Sequence, residues 1–172
     1  LIIFFIVVQA TNVVGALLFG NLQDRIGGKK ALTLSIFLMA ACIGAMYFAQ
    51  NQTHFFIIGA FIGAAMAGVQ SVSRAIVATF SPPGKSGEFF GFFALTGRTS
   101  SFIGPAIFGW LAAELTLWYQ SQGQTALVAE QSGHRLALLS IAVFLFAGWA
   151  LMLRVNEAKA REMATLSTNS AK

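Results

Sequence analysis

The chain has 172 residues, of which 56% are hydrophobic and 10% charged, against about 25% charged in an ordinary soluble domain. So few charges cannot cover a water-facing surface, and a soluble helical core enclosing this many apolar side chains would need far more polar residues around it. The net charge of +5 does not point to nucleic acid, because the basic residues gather in short segments between apolar blocks and not along one face.

Apolar blocks of about 20 residues match the roughly 30 Å hydrocarbon thickness of a bilayer, so each is predicted to be a membrane-spanning helix. The first covers residues 1–20, interrupted only by Gln9, Thr11 and Asn12. It opens on Leu1 inside the hydrophobic run, with no methionine and no basic leader, so it does not read as a signal peptide and the chain is expected to be truncated there. A charged turn from Asn21 to Lys30 leads into an uncharged second span over 31–49, which holds the single cysteine, Cys42, and with it no disulfide or CxxC pair. Asn51, Gln52, Thr53 and His54 make a polar hairpin before the third span, 55–80. Pro82, Pro83 and Gly84 stop that span, since tandem prolines remove backbone donors and hold the preceding residues out of helix. The fourth span, 88–118, carries Arg98 in its interior; 119–134 is expected to be a loop, and the fifth span covers 135–153. Residues 1–155 are thus a transmembrane bundle and 156–172 a cytoplasmic polar tail.

Lys and Arg set the orientation, because short loops rich in them stay cytoplasmic. Arg25, Lys29 and Lys30 follow the first span, Lys85 follows the third with Arg74 close by, and Arg154, Lys159, Arg161 and Lys172 follow the fifth. The opposite segments hold only Arg135, at the membrane edge. The start of the chain is therefore expected outside and the tail inside. Asn51-Gln52-Thr53 has the form of a glycosylation triplet but sits too near the bilayer and reads as a turn. Trp110, Trp118 and Tyr119 suit an outer aromatic belt.

The sharpest local signal is Gly20-Asn21-Leu22-Gln23-Asp24-Arg25-Ile26-Gly27-Gly28-Lys29-Lys30. Gly20 would let two helices approach, Gly27 and Gly28 permit a sharp reversal, and Asp24 can accept hydrogen bonds from a neighbouring helix N-terminus or an arginine. From the residues alone, Asp24 and Arg25 are either solvated turn charges or part of a latch that forms in one state and breaks in another. The spacing resembles the G-x-x-x-D-R-x-G-R-K signature of the major facilitator superfamily, which favours the latch. Gly20, Asp24, Arg25, Gly27, Lys29 and Lys30 are then the expected cytoplasmic gate. The resemblance implies an all-α, polytopic transmembrane helical bundle, the C-terminal half of a major facilitator with five helices present and the first of six missing. Counted back from the tail, the spans are helices eight to twelve. Substrate sites in such transporters lie between two six-helix halves, so at most half of the site is visible.

Further on stand Gly68-Val69-Gln70-Ser71-Val72-Ser73-Arg74, then Pro82-Pro83-Gly84-Lys85-Ser86-Gly87-Glu88-Phe89-Phe90-Gly91, then Ala94-Leu95-Thr96-Gly97-Arg98-Thr99-Ser100-Ser101-Phe102-Ile103-Gly104-Pro105. These runs look like the vacuolar-effluxer branch of the superfamily, also called the unknown major facilitator family. The branch includes fungal exporters of vacuolar amino acids and bacterial members mostly without an assigned substrate. From the residues themselves, Gln70, Ser73 and Arg74 share about one helical turn, and Thr96, Arg98, Thr99 and Ser101 give the fourth span a polar stripe. An unpaired charge at the depth of Arg98 costs at least a few kcal/mol, so it must face a partner or a water-filled cavity. Two readings stay open: Arg98 binds an anionic group such as an amino-acid carboxylate, or it is a structural arginine tied to helix-end carbonyls or a distant acid. Arg74 is expected to snorkel toward the interface. Gln70, Ser73, Arg74, Thr96, Arg98 and Ser101 are the candidate substrate pathway.

Gly59 with Gly63, Gly87 with Gly91, and Gly97 with Ser101 have the spacing of helix-packing surfaces. Gly104 and Pro105 should bend the fourth helix, since proline deletes a backbone hydrogen bond. No zinc-protease, P-loop or nucleophile-elbow motif occurs, and His54 and His134 lie in polar segments. Asp24, Glu88, Glu114, Glu157 and Glu162 sit at span ends and Glu130 in the expected loop, leaving no deep acid to carry a proton. The expected protein is not an enzyme and uses no cofactor or metal. It is a secondary active transporter in a bacterial inner membrane, moving a small solute, with amino acids as the first substrate class. Its partners are the lipid bilayer, the small-molecule solute and the missing N-terminal helices. A non-transporting receptor or scaffold of the same fold is the alternative.

Overall fold

A computed structural model describes residues 2–49, 51–82 and 84–155. In hydrocarbon every backbone N–H and C=O must find its partner inside the segment, and the apolar runs accordingly fold as continuous helices. Five follow in order: α1 (Ile2–Ile26), α2 (Gly28–Phe48), α3 (Gln52–Phe80), α4 (Ser86–Ser121) and α5 (Ala126–Leu153). All five are long and apolar enough to cross a membrane, and the described residues contain no strand.

Several helix ends fall outside the apolar blocks. α1 runs on to Ile26, so Asp24 and Arg25 are helical, and the expected turn from Asn21 to Lys30 shrinks to Gly27. At φ 89° Gly27 occupies the left-handed region open to glycine, and its carbonyl accepts from the Ala31 N–H at 3.1 Å. The loop expected over 119–134 contracts likewise: α4 reaches Ser121 and α5 starts at Ala126, which puts Glu130 and His134 on a helix and Arg135 inside α5 and not at its start. Hydropathy marks where the chain leaves hydrocarbon, whereas a helix continues through the interface for as long as its own hydrogen bonds are satisfied. α4, with 36 residues, is ~54 Å long at about 1.5 Å per residue and must project beyond the hydrocarbon. It passes through Pro105 as one helix. Pro83 and the tail over 156–172, with Lys159, Arg161 and Lys172, lie outside the described residues.

α3 is the hub. It packs against α1 and α2 and touches α4, while α5 packs against α4 and α2. Small residues permit the closest approach: a Cβ on Gly63 would meet the Val8 carbonyl oxygen at 2.4 Å, and one on Gly15 the Ala64 backbone at 2.4 Å. Gly59 meets the Phe4 ring in the same seam, so the first predicted glycine pair is a packing surface. Gly87, Gly91 and Gly97 face open space among the described residues. So does Gly20, which corrects the expectation that it brings two helices together; Gly15 and Gly63 do that instead. Beneath the Gly27 turn, Phe19, Ala31 and Val72 form a buried cluster, with Leu22 and Ile76 packed against it. The outward face is apolar, with Phe102 78% and Phe92 71% exposed. Such a surface suits lipid or further helices and not water.

Candidate functional site

Two positions gather the predicted functional residues. The first is the α1–α2 reversal. Asp24 and Arg25 occupy the last turns of α1 and are exposed, and the Asp24 carboxylate accepts no hydrogen bond or ion pair from the described residues. A carboxylate at the negative end of a helix dipole does not stabilise its own helix, whereas Arg25 in that last turn does. Lys29 ties the motif to α5. Its Nζ donates to the Leu153 and Val155 carbonyl oxygens, at 3.0 and 2.9 Å, where α5 ends. Lys30 is exposed on the same turn.

The second position is a groove of about 610 Å³ between α3 and α4, lined by Arg74, Phe90, Phe93, Ala94, Gly97, Arg98 and Ser101. Arg74 lies eight residues past the midpoint of α3 (Gln52–Phe80), about 12 Å along the axis. Arg98 precedes the midpoint of α4 (Ser86–Ser121) by five to six residues, about 8 Å. The helices are consecutive and run in opposite senses, so both cations lie toward the end of the bundle that carries Gly27. No carboxylate pairs with either among the described residues. Arg74 therefore shares a groove with Arg98 in addition to lying nearer the interface.

The neighbouring hydroxyls turn inward to their own helices. Ser101 Oγ donates to the Arg98 carbonyl at 2.7 Å, Thr96 Oγ1 to Phe92 at 2.9 Å, and Ser73 Oγ to Val69. Their protons are engaged, which leaves the guanidinium N–H groups as the strong donors facing the groove. Of the expected pathway residues, the groove brings together Arg74, Arg98 and Ser101; Gln70, Ser73 and Thr96 are not in its lining. Gly104 and Pro105 line a separate apolar cleft of about 700 Å³ between α4 and α5. Among the described residues no cluster of three His, Cys, Asp or Glu side chains is placed to hold a metal ion.

Two interactions were beyond sequence reading: the reach of Lys29 to α5, and the Arg135 Nη2 donation to the Ala49 carbonyl at 3.2 Å, beyond the end of α2. The isolation of Arg135 in a segment otherwise free of Lys and Arg was the available signal for the second.

A sequence model of the family described as "Vacuole effluxer Atg22 like" matches residues 1–165. The chain is 31% identical over 117 residues to the uncharacterized MFS-type transporter YxiO of Bacillus subtilis, covering 67% of this chain and 27% of that protein. It is 29% identical over 127 residues to autophagy-related protein 22 of Cryptococcus neoformans, covering 64% and 22%. Against autophagy-related protein 22 of Saccharomyces cerevisiae the identity is 32% over 62 residues, covering 36% and 12%. The matched stretch is thus about a quarter of the length of the first two relatives. No solved structure matches the chain.

Proposed function

The chain belongs to the vacuole effluxer Atg22-like family of the major facilitator superfamily, and from that premise we propose that it forms part of a secondary active transporter moving a small solute by alternating access. Amino acids are the proposed substrate class, with the solute's carboxylate held by Arg98 and Arg74. The observation that carries this reading is the shared groove: two guanidinium groups without a carboxylate partner among the described residues, facing a space of about 610 Å³ walled by Phe90 and Phe93. Guanidinium forks match carboxylate oxygens two at a time, and an apolar wall strengthens the attraction by keeping water away. Asp24, Arg25, Gly27, Lys29 and Lys30 are proposed to form the cytoplasmic gate, at the end of the bundle nearer the two arginines. The proposed setting is a bacterial inner membrane, with the start of α1 outside and the end of α5 inside.

The test is uptake and efflux of an amino-acid panel by the full-length protein in proteoliposomes. Arg98→Ala is expected to lower kcat/KM for the transported solute at least about tenfold, the effect of losing one charge-assisted contact. Arg98→Lys, which keeps the charge and loses the fork, is expected to fall between. Unchanged flux in Arg98→Ala removes this residue from the pathway, and absence of solute-dependent flux in the wild-type protein favours a receptor or scaffold.

A further inference from the structure

At the end of the bundle away from Gly27, three helices enclose a small polar pocket of about 270 Å³. Tyr47 and Phe48 at the end of α2, Tyr119 near the end of α4, and Ser132 and Arg135 on α5 form its lining. We propose that this pocket holds the phosphate of a membrane phospholipid headgroup.

The donor set carries the argument. A guanidinium presents five N–H donors in a planar fork. Arg135 directs one through Nη2 to the Ala49 carbonyl at 3.2 Å, which anchors the group while other donors face the pocket. No carboxylate pairs with Arg135 among the described residues. The Tyr47, Tyr119 and Ser132 hydroxyls add donors around it, and none of them is engaged by the described residues. One fixed cation surrounded by free hydroxyls and lacking an anion of its own suits a phosphate, whose oxygens only accept.

Position favours a lipid as the source of that phosphate. The pocket lies where apolar spans end, and two edge-on ring pairs flank it, Tyr47 with Phe48 at 5.2 Å and Trp118 with Tyr119 at 4.9 Å. Such rings settle at the level of lipid headgroups. Phe48 lines the pocket yet is 75% exposed, and Leu117, one turn before the end of α4, is 61% exposed. Both offer apolar surface to acyl chains beside the headgroup site. The proposal rests on membrane insertion and not on what the protein transports.

The experiment follows thermal unfolding of the full-length protein in detergent during titration with phosphatidylglycerol, with diacylglycerol of the same chains, and with glycerol phosphate. Phosphatidylglycerol is expected to raise the unfolding temperature saturably, and diacylglycerol, which lacks the phosphate, is not. Arg135→Gln should weaken the phosphatidylglycerol response about tenfold, the loss of one charge-assisted contact. Because Arg135→Gln also removes the bond to Ala49, the Tyr47→Phe, Tyr119→Phe double variant is the second arm: it leaves that bond and the ring contacts in place and should also weaken the response. A response to glycerol phosphate equal to that of the lipid would overturn the lipid source and leave a soluble phosphate site. Equal titrations in the wild type and both variants, or no response of the wild type to either phosphate probe, would overturn the site itself.

Discussion

Lys29, in the first turn of α2, donates from Nζ to the carbonyl oxygen of Leu153, the last residue of α5, at 3.0 Å. Arg135 on α5 donates to Ala49 just past the end of α2, so each of these two helices supplies a cation to the C-terminal end of the other. The reciprocity follows from their opposite directions and from the partial negative charge at a helix C-terminus. Between the two ends, Phe37 packs edge-on against Phe146 and Trp149, with ring centroids 5.8 and 5.2 Å apart. α2 and α5 are thereby held as one unit, beside the α1–α3 seam.

Lys29→Met, which keeps the apolar stem and removes the donor and charge, is expected to destabilise the protein by about 1–2 kcal/mol. Thermal unfolding in detergent measures it. An unchanged unfolding temperature would mean that the α5 carbonyls are served equally well by water.

The α1–α3 seam gives a contrast between two glycines. A Cβ at position 63 would lie 2.4 Å from the Val8 carbonyl oxygen, whereas at position 20 nothing stands within 4 Å. Gly63→Ala should therefore cost about 1–3 kcal/mol through forced separation of the helices. Gly20→Ala should be neutral or stabilise by about 0.5–1 kcal/mol, because alanine loses less backbone freedom in a helix. The same unfolding assay reads both, and equal losses would contradict the seam.

At the proposed gate motif, stability and transport should separate. Asp24 is exposed without a partner among the described residues and faces the unfavourable end of its own helix dipole. Asp24→Asn is expected to leave stability unchanged or raise it slightly, by about 0.3–1 kcal/mol, read as an equal or higher unfolding temperature, while slowing solute exchange in proteoliposomes. Full transport with unaltered stability would reduce Asp24 to a solvated charge.

Arg74 tests whether the shared groove matters. A residue that only snorkels would tolerate Arg74→Gln with little effect on flux, whereas one that binds the solute's anion should raise KM about tenfold and leave kcat less affected. Measuring KM against kcat for Arg74→Gln and Arg98→Ala in parallel distinguishes these.

Composition and block length by themselves determined that the chain is a helical membrane protein of five spans, and the Gly20 to Lys30 spacing together with the Gln70 to Pro105 runs determined its family. These features are local: partition into hydrocarbon depends on each segment's own side chains, and a motif is read along one stretch of chain. Helix ends escaped, as at Ile26 and Ala126, because polar residues in the interface stay helical without any hydropathy signal. Tertiary structure alone decided which helices touch. In lipid the outside of a helix is as apolar as its inside, so hydrophobic pattern cannot say which face packs; steric fit, as of Gly63 against Val8, decides it. The same holds for the site. Lys29 meets Leu153 across 124 positions of chain, and Arg74 shares a groove with Arg98 only because α3 and α4 lie side by side; such pairings follow from how helices pack, which no single stretch of sequence records.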